Sequence, residues 1–168
     1  MPALIALATS VGLLAILATW LFVFFGPLVS LGAQVWIVFI AWGAHYHCGG
    51  KIEGTRDAIL CMSYGSVIGM LAFMLADLLS ALGDFAAPLA VGVGAAVICL
   101  ASSIKYLAAI PASVYGFASI AGLWMLGSTG VTGGEHVSSA LLPTVVSIIG
   151  GGVFGIVSEK LAGALEKK

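Results

Sequence analysis

Six stretches of roughly 20 mostly apolar residues, each long enough to cross about 30 Å of hydrocarbon, decide which solvent this chain folds in. They cover about 3–25, 28–47, 58–79, 86–103, 106–127 and 139–160. Breaks fall at Gly26-Pro27, at the charged run from Gly49 to Asp57, at Ser80–Phe85, at Ser103–Lys105 and at the polar segment 128–136. A soluble domain carries roughly 25% charged residues, whereas only 8% of these 168 residues are charged and mean hydropathy is +1.20. Such a chain lacks the polar groups to cover its surface in water. The runs do not alternate apolar with polar residues as barrel strands do. The expected fold is therefore all-α: a single transmembrane domain, residues 1–168, built as a bundle of about six helices with the lipid bilayer as solvent.

Charge placement sets an orientation. With an inside N-terminus and six crossings, Lys51, Arg56, Lys105, Lys160, Lys167 and Lys168 all fall on the inner side, and these are every Lys and Arg in the chain. The outer loops hold the acids Asp84 and Glu135, with Asp77 near a helix end. Positive residues concentrate on the cytoplasmic side of membrane proteins, so the pattern predicts both termini inside. The first run lacks a basic leader and a clean cleavage site, and is expected to be retained. The odd count of three cysteines, all toward inner helix ends, suits free thiols in a reducing compartment.

Glycine contributes 23 residues. Gly65/Gly69 and Gly151/Gly155 stand at the small-xxx-small spacing that lets membrane helices approach closely, within one copy or between copies. Self-association is expected on this ground. Two helices look interrupted: the second at Gly49-Gly50, where paired glycines disfavour helix, and the fifth near Pro111, which either kinks the helix or begins it.

The segment AWGAHYHCGGKIEGTRD, 41–57, concentrates histidine, cysteine and charge. A metal site is not expected there, since His45 and His47 stand two apart and point about 200° from each other on a helix. Nor is an enzyme: HExxH, P-loop and dinucleotide motifs are absent from the sequence, and no cofactor or nucleic acid is implied. No charged residue lies near the centre of a predicted span. The polar residues inside the spans (Gln34, Ser63, Tyr64, Ser66, Ser113, Tyr115, Ser119, Thr144, Ser147) are neutral, which suits a small uncharged solute better than an ion. Trp42, His45, Tyr46 and His47, facing Ser113 and Tyr115 beside Pro111, are the expected lining of an inner mouth. Unperturbed histidine titrates near pH 6.5, so such a mouth would respond to cytoplasmic pH.

WGAHYHCGG and IPASVYGFA, set among six short glycine-rich spans, resemble a bacterial inner-membrane family of unknown function. That family is similar to an algal low-CO2-inducible plasma-membrane protein regarded as a CO2 channel. The resemblance implies a homo-oligomer, with a trimer as the implied assembly, and passive movement of a small neutral molecule. A membrane scaffold or assembly partner that transports nothing, or a secondary transporter, are the alternatives.

Overall fold

The computed structural model describes residues 1–126 and 136–166. Seven α-helices follow one another: α1 (Ala3–Phe24), α2 (Gly26–Ser30), α3 (Val35–His47), α4 (Lys51–Leu78), α5 (Ala86–Ala101), α6 (Ile110–Met125) and α7 (Leu141–Leu165). Short 3-10 turns precede α5, α6 and α7, and no strand occurs among the described residues. Four units are long and apolar enough to cross a bilayer: α1, α4, Ser80–Ala101 and Val137–Leu165. Together with the composition they make this an integral membrane protein.

Helix boundaries depart from the sequence reading in three places, each for a local reason. The second run, 28–47, is not one helix. Pro27 opens the short α2 in its first turn, as its missing N–H allows, and Gly32 at φ +74° ends it. The irregular backbone at Gln34 is covered by α7, where Ser147 Oγ accepts the Gln34 N–H at 2.8 Å. The charged run is not a break either. Lys51, Glu53, Arg56 and Asp57 form the first two turns of α4, where Glu53 suits the positive end of the helix and Arg56 pairs with Asp57 at 2.8 Å. The interruption itself is confined to Gly49, Gly50 and Lys51, at φ +95°, +70° and +58°. Pro111 lies in the first turn of α6, so it starts that helix rather than kinking it.

The core lies where α3, α4, α6 and α7 meet, around Ile37, Met62, Ile120, Leu123 and Ile148. Lipid tails are as apolar as leucine, so close backbone approach has to hold these helices together. At the α4–α6 crossing the approach is reciprocal. A Cβ on Gly65 would overlap the Ser113 carbonyl, and one on Gly116 would overlap the Met62 carbonyl. One turn further on, a Cβ on Gly69 would stand 2.7 Å from Ile120 Cγ2. Gly151 seats α7 against the Val38 carbonyl of α3, and Gly155 seats it against the His45 ring. All four glycines singled out for packing are thus used inside the chain. On the periphery, α5 buries Ala86, Ala90, Gly94 and Ile98, one residue per turn.

One end of the bundle gathers most of the positive charge. The Met1 amino nitrogen donates to the Leu165 carbonyl at 3.2 Å, and the Lys51 N–H donates to Glu159 Oε2 at 2.6 Å. Arg56 and Lys105 both lie over the Tyr106 ring, at 4.8 and 5.6 Å. Asp77 and His136 face a cavity with Met74 and Trp124 near the far end of α4. Glu135, Lys167 and Lys168 lie outside the described residues.

Candidate functional site

Helix α3 carries the histidine-rich segment, and its 3.6-residue period divides that segment between two faces. Trp42, His45 and Tyr46 turn toward α7; Phe39, Gly43 and His47 turn outward and toward α6. The two histidines are therefore separated by the helix itself.

On the α7 side the polar atoms converge on Ser158. Its hydroxyl donates to the Gly155 carbonyl at 2.8 Å and accepts the Trp42 indole N–H at 2.8 Å. A hydroxyl has one proton to give, so the Tyr46 hydroxyl, 2.7 Å away, is the donor in that contact. The Ser158 carbonyl accepts from Ser10 of α1 at 2.7 Å. Trp42 is buried, with its ring 5.5 Å from that of Phe154. His45 is fully buried; its Nδ1 lies 2.8 Å from Thr55 Oγ1 and its Nε2 lies 3.3 Å from Glu159 Oε2. Side-chain contacts thereby tie α4 and α7 to the C-terminal half of α3, and Ser10 ties α1 to α7 in turn.

The outward side is a groove between α3 and α6. A cavity of about 410 Å³ is lined by Phe39, Ile40, Gly43, Ala44, His47, Tyr115 and Ala118. His47 Nδ1 and the Tyr115 hydroxyl meet at 2.9 Å at its end nearest the α3–α4 junction. Nothing in the lining carries a fixed charge. Across Phe39 and Gly43 lies a second hollow of about 320 Å³, walled by Leu7, Val11, Trp42 and Tyr46. A Cβ built on Gly43 meets nothing within 4 Å, so this glycine leaves open space on both sides of Phe39.

The structure brings His47 and Tyr115 together, as the facing of the two interrupted segments predicts. Trp42, His45 and Tyr46 join a different cluster, although Trp42 and Tyr46 border the second hollow. Ser113 is buried in the α4–α6 crossing, with no hydrogen-bond partner for its hydroxyl. Thr55, Ser158 and Glu159 were not among the sequence candidates. Their signal is the spacing Gly151, Gly155, Ser158, Glu159, which places the last two on the small-residue face of α7. Among the thiols, burial pushes Cys48, at the α3–α4 junction, up to about 11, so it is protonated and neutral at pH 7.

Comparison with curated proteins and with solved structures finds no match for this chain. A family model, described as a protein of unknown function (DUF1097), matches residues 8–163. That span holds both segments of the α3–α6 groove and the polar cluster around Ser158, and the chain belongs to this family.

Proposed function

We propose that this protein lets a small neutral solute, CO2-like in size and charge, pass down its own gradient along the α3–α6 groove. The observation that carries the reading is the groove: it is uncharged, mostly apolar, and ends in the His47–Tyr115 hydrogen bond at the positively charged end of the bundle. The centre of the bundle offers less room. Its glycine contacts are at the steric limit. Its buried hydroxyls at Ser66, Ser119, Thr144 and Ser147 are spent on carbonyls one turn back in their own helices. The groove is open on one side, and a second copy laid against it would complete the wall, in keeping with the trimer that the resemblance to the bacterial inner-membrane family implies.

The topology belongs to the same proposal. Six crossings put both termini in the cytoplasm of a bacterial inner membrane, with α2, the Gly32 turn and α3 making the second crossing. Alone, α3 rises about 20 Å, and α2 with the turn supplies the remainder. The grouping of Lys51, Arg56 and Lys105 with the C-terminal end of α7 supports this orientation. A reporter fused after Lys168 is expected to be active only in its cytoplasmic form; periplasmic activity would refute the six-crossing count.

Flux tests the groove. Proteoliposomes loaded with carbonic anhydrase report CO2 entry as internal acidification. The Gly43→Leu variant, which has room for its side chain, should lower that rate to the lipid background. Gly12→Leu on α1, where a Cβ also meets open space, should leave it unchanged. Imposed proton or sodium gradients should have no effect. Full flux through Gly43→Leu would exclude the groove as the path. A second reading, a membrane assembly partner without transport, draws on the tightly packed interior, and would be favoured if the parent protein added no flux for any small neutral solute.

A further inference from the structure

The buried face of α3 takes no part in the proposed path, yet it holds an imidazole with a carboxylate beside it. His45 is fully buried, and its Nε2 has no aligned hydrogen-bond partner although Glu159 Oε2 stands 3.3 Å away. Its Nδ1 lies 2.8 Å from Thr55 Oγ1, and the same hydroxyl lies 2.9 Å from the Lys51 carbonyl one turn back. Thr55 has a single proton and two places to put it. With neutral His45, the hydroxyl donates to Nδ1, and Nε2–H lies beside the carboxylate, with Nε2 3.3 Å from Oε2 but out of line with it. When Nδ1 takes up a proton, the hydroxyl swings to the Lys51 carbonyl and accepts from Nδ1–H instead. Both states fit without moving a heavy atom.

Glu159 is held independently of the histidine. Its Oε2 accepts the Lys51 N–H at 2.6 Å, so a carboxylate from α7 closes the N-terminus of α4, which has no side-chain cap of its own. A Cβ on Gly50 would come within 3.2 Å of the same carboxylate. The other groups around His45 are accounted for element by element. On α3 the Tyr46 ring meets it edge-on at 4.8 Å, while His47 is turned to Tyr115 of α6. On α4, Arg56 is paired with Asp57, and Lys51 lines a hollow of about 250 Å³ together with Glu159 and Lys160 of α7. Cys48 is a neutral thiol at the junction, and α1 offers only the Ser10 hydroxyl. Among the described residues, Glu159 is thus the one carboxylate in contact with the imidazole.

We infer that His45, Thr55 and Glu159 form a proton-operated clamp. Proton uptake by His45 turns the contact of a neutral ring with the Glu159 carboxylate into an ion pair, drawing α7 against the α3–α4 junction and securing the carboxylate on the first amide of α4. Release of the proton loosens that junction. The inference stands whether or not the groove conducts.

Hydrogen exchange of the whole protein in lipid nanodiscs reads the clamp directly, over the peptide 49–56 that contains the Lys51 amide. After correction for intrinsic rates, its protection should rise about fivefold to tenfold from about pH 8 to about pH 5.5. A charged ring beside the carboxylate strengthens their hydrogen bond on this scale. The rise should vanish in His45→Gln and in Glu159→Gln, and persist in His47→Gln. Flat protection in the parent protein overturns the clamp, whatever the variants do. So does a rise that survives His45→Gln, or one that disappears with His47→Gln.

Discussion

Gly116→Ala should leave little folded protein, and Gly92→Ala should leave slightly more than the parent. The two substitutions add the same methyl group to helix interiors, and in an isolated helix alanine is favoured over glycine by about 1 kcal/mol. What differs is the space. The Cβ on Gly92 meets nothing within 4 Å, whereas on Gly116 it would overlap the Met62 carbonyl, which is backbone and cannot rotate away. Relief requires α4 and α6 to separate along the crossing where Gly65 also sits on the Ser113 carbonyl, so both halves of the contact are lost together. Overpacking typically costs about 1–3 kcal/mol and occasionally more, and a clash with backbone belongs at the upper end, a large share of a total stability of about 5–15 kcal/mol. Thermal unfolding in a mild detergent should show a much lower midpoint for Gly116→Ala and an unchanged or raised one for Gly92→Ala. Equal midpoints would mean that the crossing is looser than described.

Ser158→Ala should be the most damaging loss of a single hydroxyl in the chain. The substitution removes the acceptor of the Trp42 indole N–H, which is 4% exposed and has no water to turn to. It also removes the acceptor of Tyr46, whose hydroxyl is partly exposed and can be rehydrated. An orphaned buried donor costs about 1–3 kcal/mol. Ser119→Ala makes the natural comparison, because Ser119 Oγ only donates to a carbonyl one turn back, in its own helix, and helix carbonyls keep their main-chain partner. Its unfolding midpoint should stay near that of the parent. If Ser158→Ala and Ser119→Ala unfold alike, the convergence on Ser158 contributes no stability.

The membrane class and the all-helical fold were legible because they depend on solvent and on run length, which composition reports directly. Close packing at Gly65, Gly69, Gly151 and Gly155 was legible for a similar reason: small residues four apart share a helix face. Which surface that face meets was not, since the spacing is the same for a neighbour in the chain and for a second copy. The short α2 and the turn at Gly32 escaped notice because Gly32-Ala33-Gln34 is no more polar than the helices beside it, and the bond from Gln34 to Ser147 comes from the other end of the sequence. In the candidate site, the meeting of His47 with Tyr115 followed from two interruptions lying at the same depth. The fates of His45 and Ser113 did not follow, because rotation about a helix axis decides them, and hydropathy carries little of that information when every face is apolar. Glu159 looked like one more charge at a helix end, with nothing local to reveal that the first turn of α4 uses it.

The capping of α4 by Glu159 has a consequence for how the molecule is made. Donor and acceptor are separated by 108 positions in the chain. When the ribosome has delivered α3 and α4 to the membrane, the turn at Gly49 and Gly50 has its local partners, the Tyr46 and His45 carbonyls, but the amide at Lys51 has no carboxylate to meet. The carboxylate cap can form only after α7 has been inserted and has packed its small-residue face along α3. A nascent protein stopped short of residue 159 would have α3 and α4 in the bilayer but the first amide of α4 uncapped.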